Sequence, residues 1–323
     1  MKRREFIVLI GASAAWPAVA QAQRQPTLGL LSSDELADWA IKPFRAALGE
    51  GGYFEGRNLT VIHRSAENQF DRLPALAAEL VKSQVSVIFA TGSPVPARAA
   101  KAATATIPIV FAYGGDPVSD GLVESFNRPG GNVTGATFIG TALTSKRMEL
   151  LREILPQVSD VALLVNPKGT LAEIQIKEAK AAAQAFGLTL HVVNVVSERE
   201  FDEAFATMSR LKVGAFLAST DPLFGFNGRG LHITKALPYG IPAICNGRVD
   251  AVSGGLVSYG ADLPDTWRQA GVYVGRILKG EKPSELPVVQ PTKFELVINL
   301  KTAKQLGIEI PSTLLNRADE VIE

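Results

Sequence analysis

Val85-Ser86-Val87-Ile88-Phe89-Ala90-Thr91-Gly92-Ser93-Pro94 reads as a buried strand that hands over to a helix within three residues. The apolar run is continuous rather than alternating, as a strand covered on both faces requires. Ser93 can accept a backbone N–H at a helix start, and proline suits the first helical position because its missing N–H is not needed there. The same handover recurs at Asp116-Pro117, Asn166-Pro167 and Asp221-Pro222, each closing an apolar run and opening a helical segment or turn. Such starts gather at the carboxyl edge of a parallel sheet, where open α/β folds bind ligands.

Outward from these four points, short β-rich runs alternate with helical patterns. Strands are expected at 28–31, 59–63, 85–90, 109–112, 161–165, 189–193, 215–218, 243–245 and 256–259. Helical spacing falls at 43–50, 72–83, 94–103, 144–155, 171–186 and 200–211. Alternation of this kind predicts an α/β fold with parallel sheets flanked by helices. Two handovers precede residue 137 and two follow it. The turn-rich stretch Asn127-Arg128-Pro129-Gly130-Gly131-Asn132-Val133-Thr134-Gly135 reads as a long ordered loop approaching a lobe boundary. Two α/β lobes around a cleft are therefore expected.

The amino end carries a different signal. Lys2, Arg3 and Arg4 precede an apolar stretch, and Ala18, Ala20 and Ala22 offer Ala-x-Ala cleavage sites. Residues 1–22 are expected to be a cleaved export signal, with Arg3-Arg4 fitting the twin-arginine type, so that the mature protein works in the periplasm. A net charge of +1 over 323 residues excludes the concentrated basic face that nucleic acid demands. Cys245 is the single cysteine, so no intramolecular disulfide forms.

Catalytic constellations are missing. His63, His191 and His232 are far apart in sequence without metal-ligand spacing, and no nucleophile elbow or phosphate loop stands in its required context. Neither a metal nor a cofactor is expected, and the chain does not read as an enzyme. A secreted hydrolase using Asp116 or Asp221 would need a positioned nucleophile that the sequence does not offer. The rim instead suits binding. Thr91, Gly92 and Ser93 could cradle an anion at a helix start. Asp116 and Asp221 could take an ammonium. Tyr113, Phe138, Phe224, Phe226 and Tyr259 lie near these edges. An amino acid fits that combination.

Several further stretches carry a resemblance. Gly52-Tyr53-Phe54-Glu55-Gly56-Arg57-Asn58, Asp71-Arg72-Leu73-Pro74-Ala75-Leu76-Ala77 and Gly115-Asp116-Pro117-Val118 lie in the first half. Gly254-Gly255-Leu256-Val257-Ser258-Tyr259-Gly260 and Gln290-Pro291-Thr292-Lys293-Phe294-Glu295-Leu296-Val297-Ile298-Asn299 lie in the second. With the 127–135 turn, these resemble the periplasmic substrate-binding proteins of ABC transporters, whose relatives include tryptophan and tyrosine binders. The resemblance implies a two-lobed, periplasmic-binding-protein type I fold that works as a monomer with a membrane permease. It implies a small solute held between the lobes, an amino acid with an aromatic or branched side chain. The implied lobes are 27–137 with 257–285, and 138–256 with 286–323. Carried over, the implied ligand residues are Ser32, Thr91, Gly92, Ser93, Asp116, Asn166, Asp221 and Tyr259. Tyr113 and Asn246 join them as residues beside the same edges. The chain departs from the pattern over 224–248, where Gly225, Gly228 and Gly230 interrupt a helix and Cys245 and Asn246 replace aromatics. A sensor presenting its liganded form to a receptor would use the same lobes.

Overall fold

The computed structural model describes residues 25–138, 140–224 and 230–323. The expected export signal at 1–22 lies outside the described residues, as do Gly225, Phe226 and Gly228.

The first half alternates strand and helix as β1 (Thr27–Ser32), α1 (Asp38–Glu50), β2 (Thr60–Ser65), α2 (Leu73–Lys82), β3 (Val87–Thr91), α3 (Pro94–Ala103), β4 (Ile109–Tyr113) and β5 (Val133–Thr137). Its five strands pair in parallel in the order β2-β1-β3-β4-β5. Every residue of β3 and β4 is buried, which is why both read as unbroken apolar runs. One face packs under α2 and α3 through Leu76, Leu80 and Ala97. The other packs under α1, with Phe44 stacked on Phe89 at 4.4 Å between ring centroids.

The second half runs α4 (Thr144–Ile154), β6 (Asp160–Val165), α5 (Ala172–Ala185), β7 (Thr189–Asn194), α6 (Phe201–Arg210), β8 (Ala215–Ala218), α7 (Leu231–Ala236), β9 (Ala243–Cys245), α8 (Arg248–Val252) and β10 (Val257–Ala261). Then come α9 (Leu263–Leu278), β11 (Phe294–Asn299), α10 (Leu300–Leu306), α11 (Ser312–Leu315) and β12 (Glu320–Ile322). The second sheet has the order β12-β11-β10-β9-β8-β6-β7. It is parallel except where β11 runs antiparallel to β10, so the expectation of a wholly parallel sheet is corrected there.

Two further corrections concern where the chain changes lobe. Residues 257–261 were expected with the first lobe, yet β10 pairs with β9 and β11 in the second sheet. Only α9 returns, packing Trp267, Ala270 and Val274 against β1, β3 and α1. Residues 286–289 were expected with the second lobe. They stay with the first, where Leu286 O accepts from Thr134 Oγ1 at 2.7 Å and Val289 O from Thr137 N at 2.9 Å. The chain therefore changes sheet between β5 and α4, between β10 and α9, and between residue 289 and β11. Asp262 marks one of these crossings by capping α9, its Oδ1 accepting Asp265 N at 3.0 Å.

β5 begins inside the stretch 127–135 expected to be a loop, which is corrected there, and runs on to Thr137. Its five residues are all buried, and Gly135 lies against the Phe111 backbone where no side chain would fit. Among the described residues no helix is long and apolar enough to cross a membrane.

Candidate functional site

A cavity of about 370 Å³ is lined by residues from both halves of the chain. The second sheet supplies most of its wall from the segments after β8 and β9: Thr220, Asp221 and Phe224, then Asn246 to Asp250. Trp39, in the first turn of α1, closes it from the first lobe, and Phe138, Gly140, Ala261 and Asp262 come from the crossings. The lobes meet beside it. A Cβ added at Gly114, just beyond β4, would fall on the Phe138 ring and 2.9 Å from Thr220 Cγ2.

Its most unusual member is Arg147, on α4 and only 3% exposed. Its Nε donates to Tyr259 O at 2.8 Å, one terminal nitrogen to Gly140 O at 3.2 Å and the other to Asn246 O at 3.5 Å. A guanidinium has five N–H donors, so two remain after these bonds. No carboxylate among the described residues lies within ion-pairing distance of it. Burial pushes its pKa down to about 10. A cation so desolvated is costly unless something anionic shares the space.

Asp221 faces the same cavity. Its Oδ1 accepts from Leu223 N at 3.0 Å and from Asn166 Nδ2 at 3.2 Å, while burial outweighs both bonds and raises its pKa. Asp250, 5% exposed at the start of α8, has an Oδ1 with no hydrogen bond among the described residues. Burial pushes its carboxyl up to about 7, opposed by Arg147 and by a backbone bond from Asn246. Thr220 Oγ1 and Asn246 Oδ1 are also buried without partners among the described residues. Buried polar atoms in a native fold are normally satisfied, so such a group marks a place where something else is to bind. Trp39, Phe138 and Phe224 add an aromatic wall.

Of the residues expected from sequence, Asp221 and Asn246 line this cavity and the other eight do not. The physical reason is local satisfaction. Ser93 Oγ caps α3 by accepting Val95 N at 3.3 Å and meets Ser33 Oγ at 2.8 Å, which Gly92 permits by having no Cβ toward Ser33. Thr91 Oγ1 donates to Ala112 O, and Ser32 Oγ lies 2.9 Å from His63 Nε2. Tyr113 donates to Asp120 at 2.7 Å, with burial and that carboxylate pushing its pKa up. Asp116 closes its own turn through Val118 N, Ser119 N and Ser119 Oγ. Asn166 reaches the site only through Asp221, and its Oδ1 accepts Lys168 N. Tyr259 stacks on Phe294 at 6.1 Å and contributes its carbonyl to Arg147. Arg147, Asp250 and Trp39 were not found in the sequence.

His191 pairs with Asp160 at 2.8 Å across β6 and β7. Among the described residues no group of three or more His, Cys, Asp or Glu is placed to hold a metal. Burial holds the Cys245 thiol well above its usual pKa, and therefore uncharged.

The family's sequence profile, "ABC transporter substrate binding protein", matches residues 30–322. The chain belongs to that family. Its relatives include the tyrosine-binding protein of Clostridioides difficile (strain R20291), 26% identical over 290 residues, covering 89% of this chain and 83% of the relative. The solved ABC domain from Streptococcus pneumonia in complex with L-Trp is 25% identical, with a TM-score of 0.81 over 92% of this chain and 100% of that one. A conserved domain protein from Vibrio cholerae O1 biovar eltor is 27% identical, with a TM-score of 0.82 over the same shares. This ABC substrate-binding protein is therefore a solute binder and not an enzyme.

Proposed function

We propose that this protein is the periplasmic solute receptor of an ABC import system, and that it holds an amino acid with an aromatic or branched side chain in the cavity between its lobes. The observation that carries the reading is the cavity itself. At about 370 Å³ it is within the range of small-ligand sites, and it sets Arg147 and Asp221 against the rings of Trp39, Phe138 and Phe224. A zwitterion with a large apolar side chain matches each of those features. The relatives named for tyrosine binding and solved with L-Trp support the same class.

Walls drawn from both lobes and from the crossings suit closure around the solute, with the crossings as hinge. The closed monomer would then present its two lobes to a membrane permease. Micromolar affinity corresponds to about −8 kcal/mol, within reach of two charge-assisted contacts and one buried ring.

The test is thermal unfolding of the mature protein, refolded to strip bound solute, against amino acids, other carboxylates and sugars. A concentration-dependent rise with an aromatic or branched amino acid is expected, and its loss in Asp221→Ala would place the solute. A shift with sugars alone would sink the amino-acid assignment while leaving the family intact.

A further inference from the structure

Arg147 and Asp250 form an arrangement that the proposed function alone does not call for. Both line the cavity, both are nearly completely buried, and they act on each other through space without a direct ion pair. Three carbonyls hold the arginine from Gly140, Asn246 and Tyr259, so its guanidinium is fixed in place and keeps two N–H donors. Behind Asp250, His232 Nε2 lies 3.8 Å from Oδ1, and both atoms are buried without hydrogen bonds among the described residues. Among the described residues, the strands packed on α8 carry Cys245 (β9), Tyr259 (β10) and Glu295 (β11) as further titratable groups, while Arg248 on α8 itself bonds Glu320. Among the described residues Arg147 is thus the one cation that bears on the Asp250 carboxylate.

We infer that Arg147 anchors the solute's carboxylate, and that Asp250, the counter-charge it has until then, takes up a proton as the solute binds. The inference rests on the reading that a carboxylate-bearing solute enters this cavity. A fixed guanidinium with two remaining donors suits the bidentate geometry of a carboxylate. Once a second anion sits on Arg147, the arginine no longer offsets the Asp250 charge alone, and the two carboxylates repel at low dielectric. Asp250 answers by taking a proton from solvent, and its O–H then faces His232 Nε2. Burial holds His232 down to about 3, so the imidazole is neutral and able to accept. The site consequently selects for a carboxylate, and uptake strengthens as pH falls through neutrality.

The experiment is titration calorimetry on the refolded mature protein near pH 7, in phosphate and in Tris, whose ionisation enthalpies differ. The probes are L-tyrosine, L-tryptophan, tyramine, which lacks the carboxylate, and 3-(4-hydroxyphenyl)propanoate, which lacks the amine. Tyramine is expected to bind roughly 10- to 100-fold more weakly than L-tyrosine. Whichever carboxylate probes bind are expected to take up on the order of half a proton each. In Asp250→Asn the uptake is expected to vanish. Because Arg147 variants would strip three carbonyls of their donor, the wild-type arms carry the decision. Tyramine binding as well as L-tyrosine would overturn the anchor and leave solute binding standing. Buffer-independent heats, proton release, or uptake persisting in Asp250→Asn would overturn the role of Asp250. Binding of none of the four would remove the amino-acid reading itself, and the inference with it.

Discussion

His232 Nε2 and Asp250 Oδ1 face each other at 3.8 Å, both buried and neither hydrogen-bonded among the described residues. The pair joins the α7 turn to α8 directly behind the cavity wall. Burial has moved the two groups in opposite directions, Asp250 up to about 7 and His232 down to about 3.

That opposition gives a pH signature. In an unfolded chain the two return to about 3.9 and about 6.5. Asp250 holds more protons folded than unfolded, so its share of stability is complete below about pH 4 and is lost as pH rises through about 7. His232 holds fewer, so its share is complete above about pH 6.5 and is lost as pH falls toward about 3. Across the acid window the two therefore cancel in part. Asp250→Asn is expected to gain on wild type as pH rises from about 5 to 8, and His232→Gln as it falls over the same range. Urea midpoints at three pH values would show it, and parallel profiles for wild type and both variants would contradict it.

Gly114 tests whether the lobes must meet closely. A methyl there has the Phe138 ring and Thr220 in its way, so Gly114→Ala should hold the lobes apart where they now touch. Because Gly114 lies outside both sheets, the cost in stability is expected at the low end of the 1–3 kcal/mol typical of overpacking. Solute affinity should fall by about tenfold, since closure is incomplete. Calorimetry against the best solute decides, and an unchanged affinity would mean that closure does not use this contact.

How much of this was legible beforehand depends on what each residue does with its neighbours. The buried strands announced themselves because burial on both faces leaves unbroken apolar runs such as Val161 to Val165. β5 did not, because Val133-Thr134-Gly135-Ala136-Thr137 is short, small and half polar, and its burial comes from Phe111 and the 286–289 segment. The four polar-proline handovers do stand just after strands, but three of them spend their side chains on local turns, and only Asp221 also faces the cavity. Arg147 lies among the charged residues Lys146, Glu149 and Arg152 of its helix, which hide it. The missed signal was its spacing, since it shares a helix face with Leu151 and Ile154, both buried.

Trp39 and Trp267 separate binding from stability. Their rings meet edge-on at 6.4 Å, but Trp267 is fully buried against Phe89 while Trp39 is partly exposed at the cavity. Trp267→Ala is expected to cost about 3–5 kcal/mol, as large core truncations do. Trp39→Ala should cost clearly less, yet abolish most of the solute-dependent rise in unfolding midpoint. Denaturant melts with and without solute measure both. Equal losses of stability would show Trp39 to be a core residue rather than a wall of the site.

Asp221 offers the last handle, through a glycine that crowds it. Gly169 lies so close to Asp221 Oδ2 that an added Cβ would overlap it, while Oδ1 is fixed by Leu223 N and Asn166 Nδ2. Gly169→Ala must therefore turn the carboxylate or push the Asn166–Gly169 turn away. Neither change removes the charge, so the variant tests position separately from charge, which Asp221→Asn removes with little change in shape. If the carboxylate orients a solute ammonium, both variants should weaken an amino acid by roughly tenfold or more and leave its deaminated analogue nearly unaffected. Loss of affinity in Asp221→Asn alone would mean that the site reads the charge from a distance. Equal loss for both solutes would reduce Asp221 to a support for its loop.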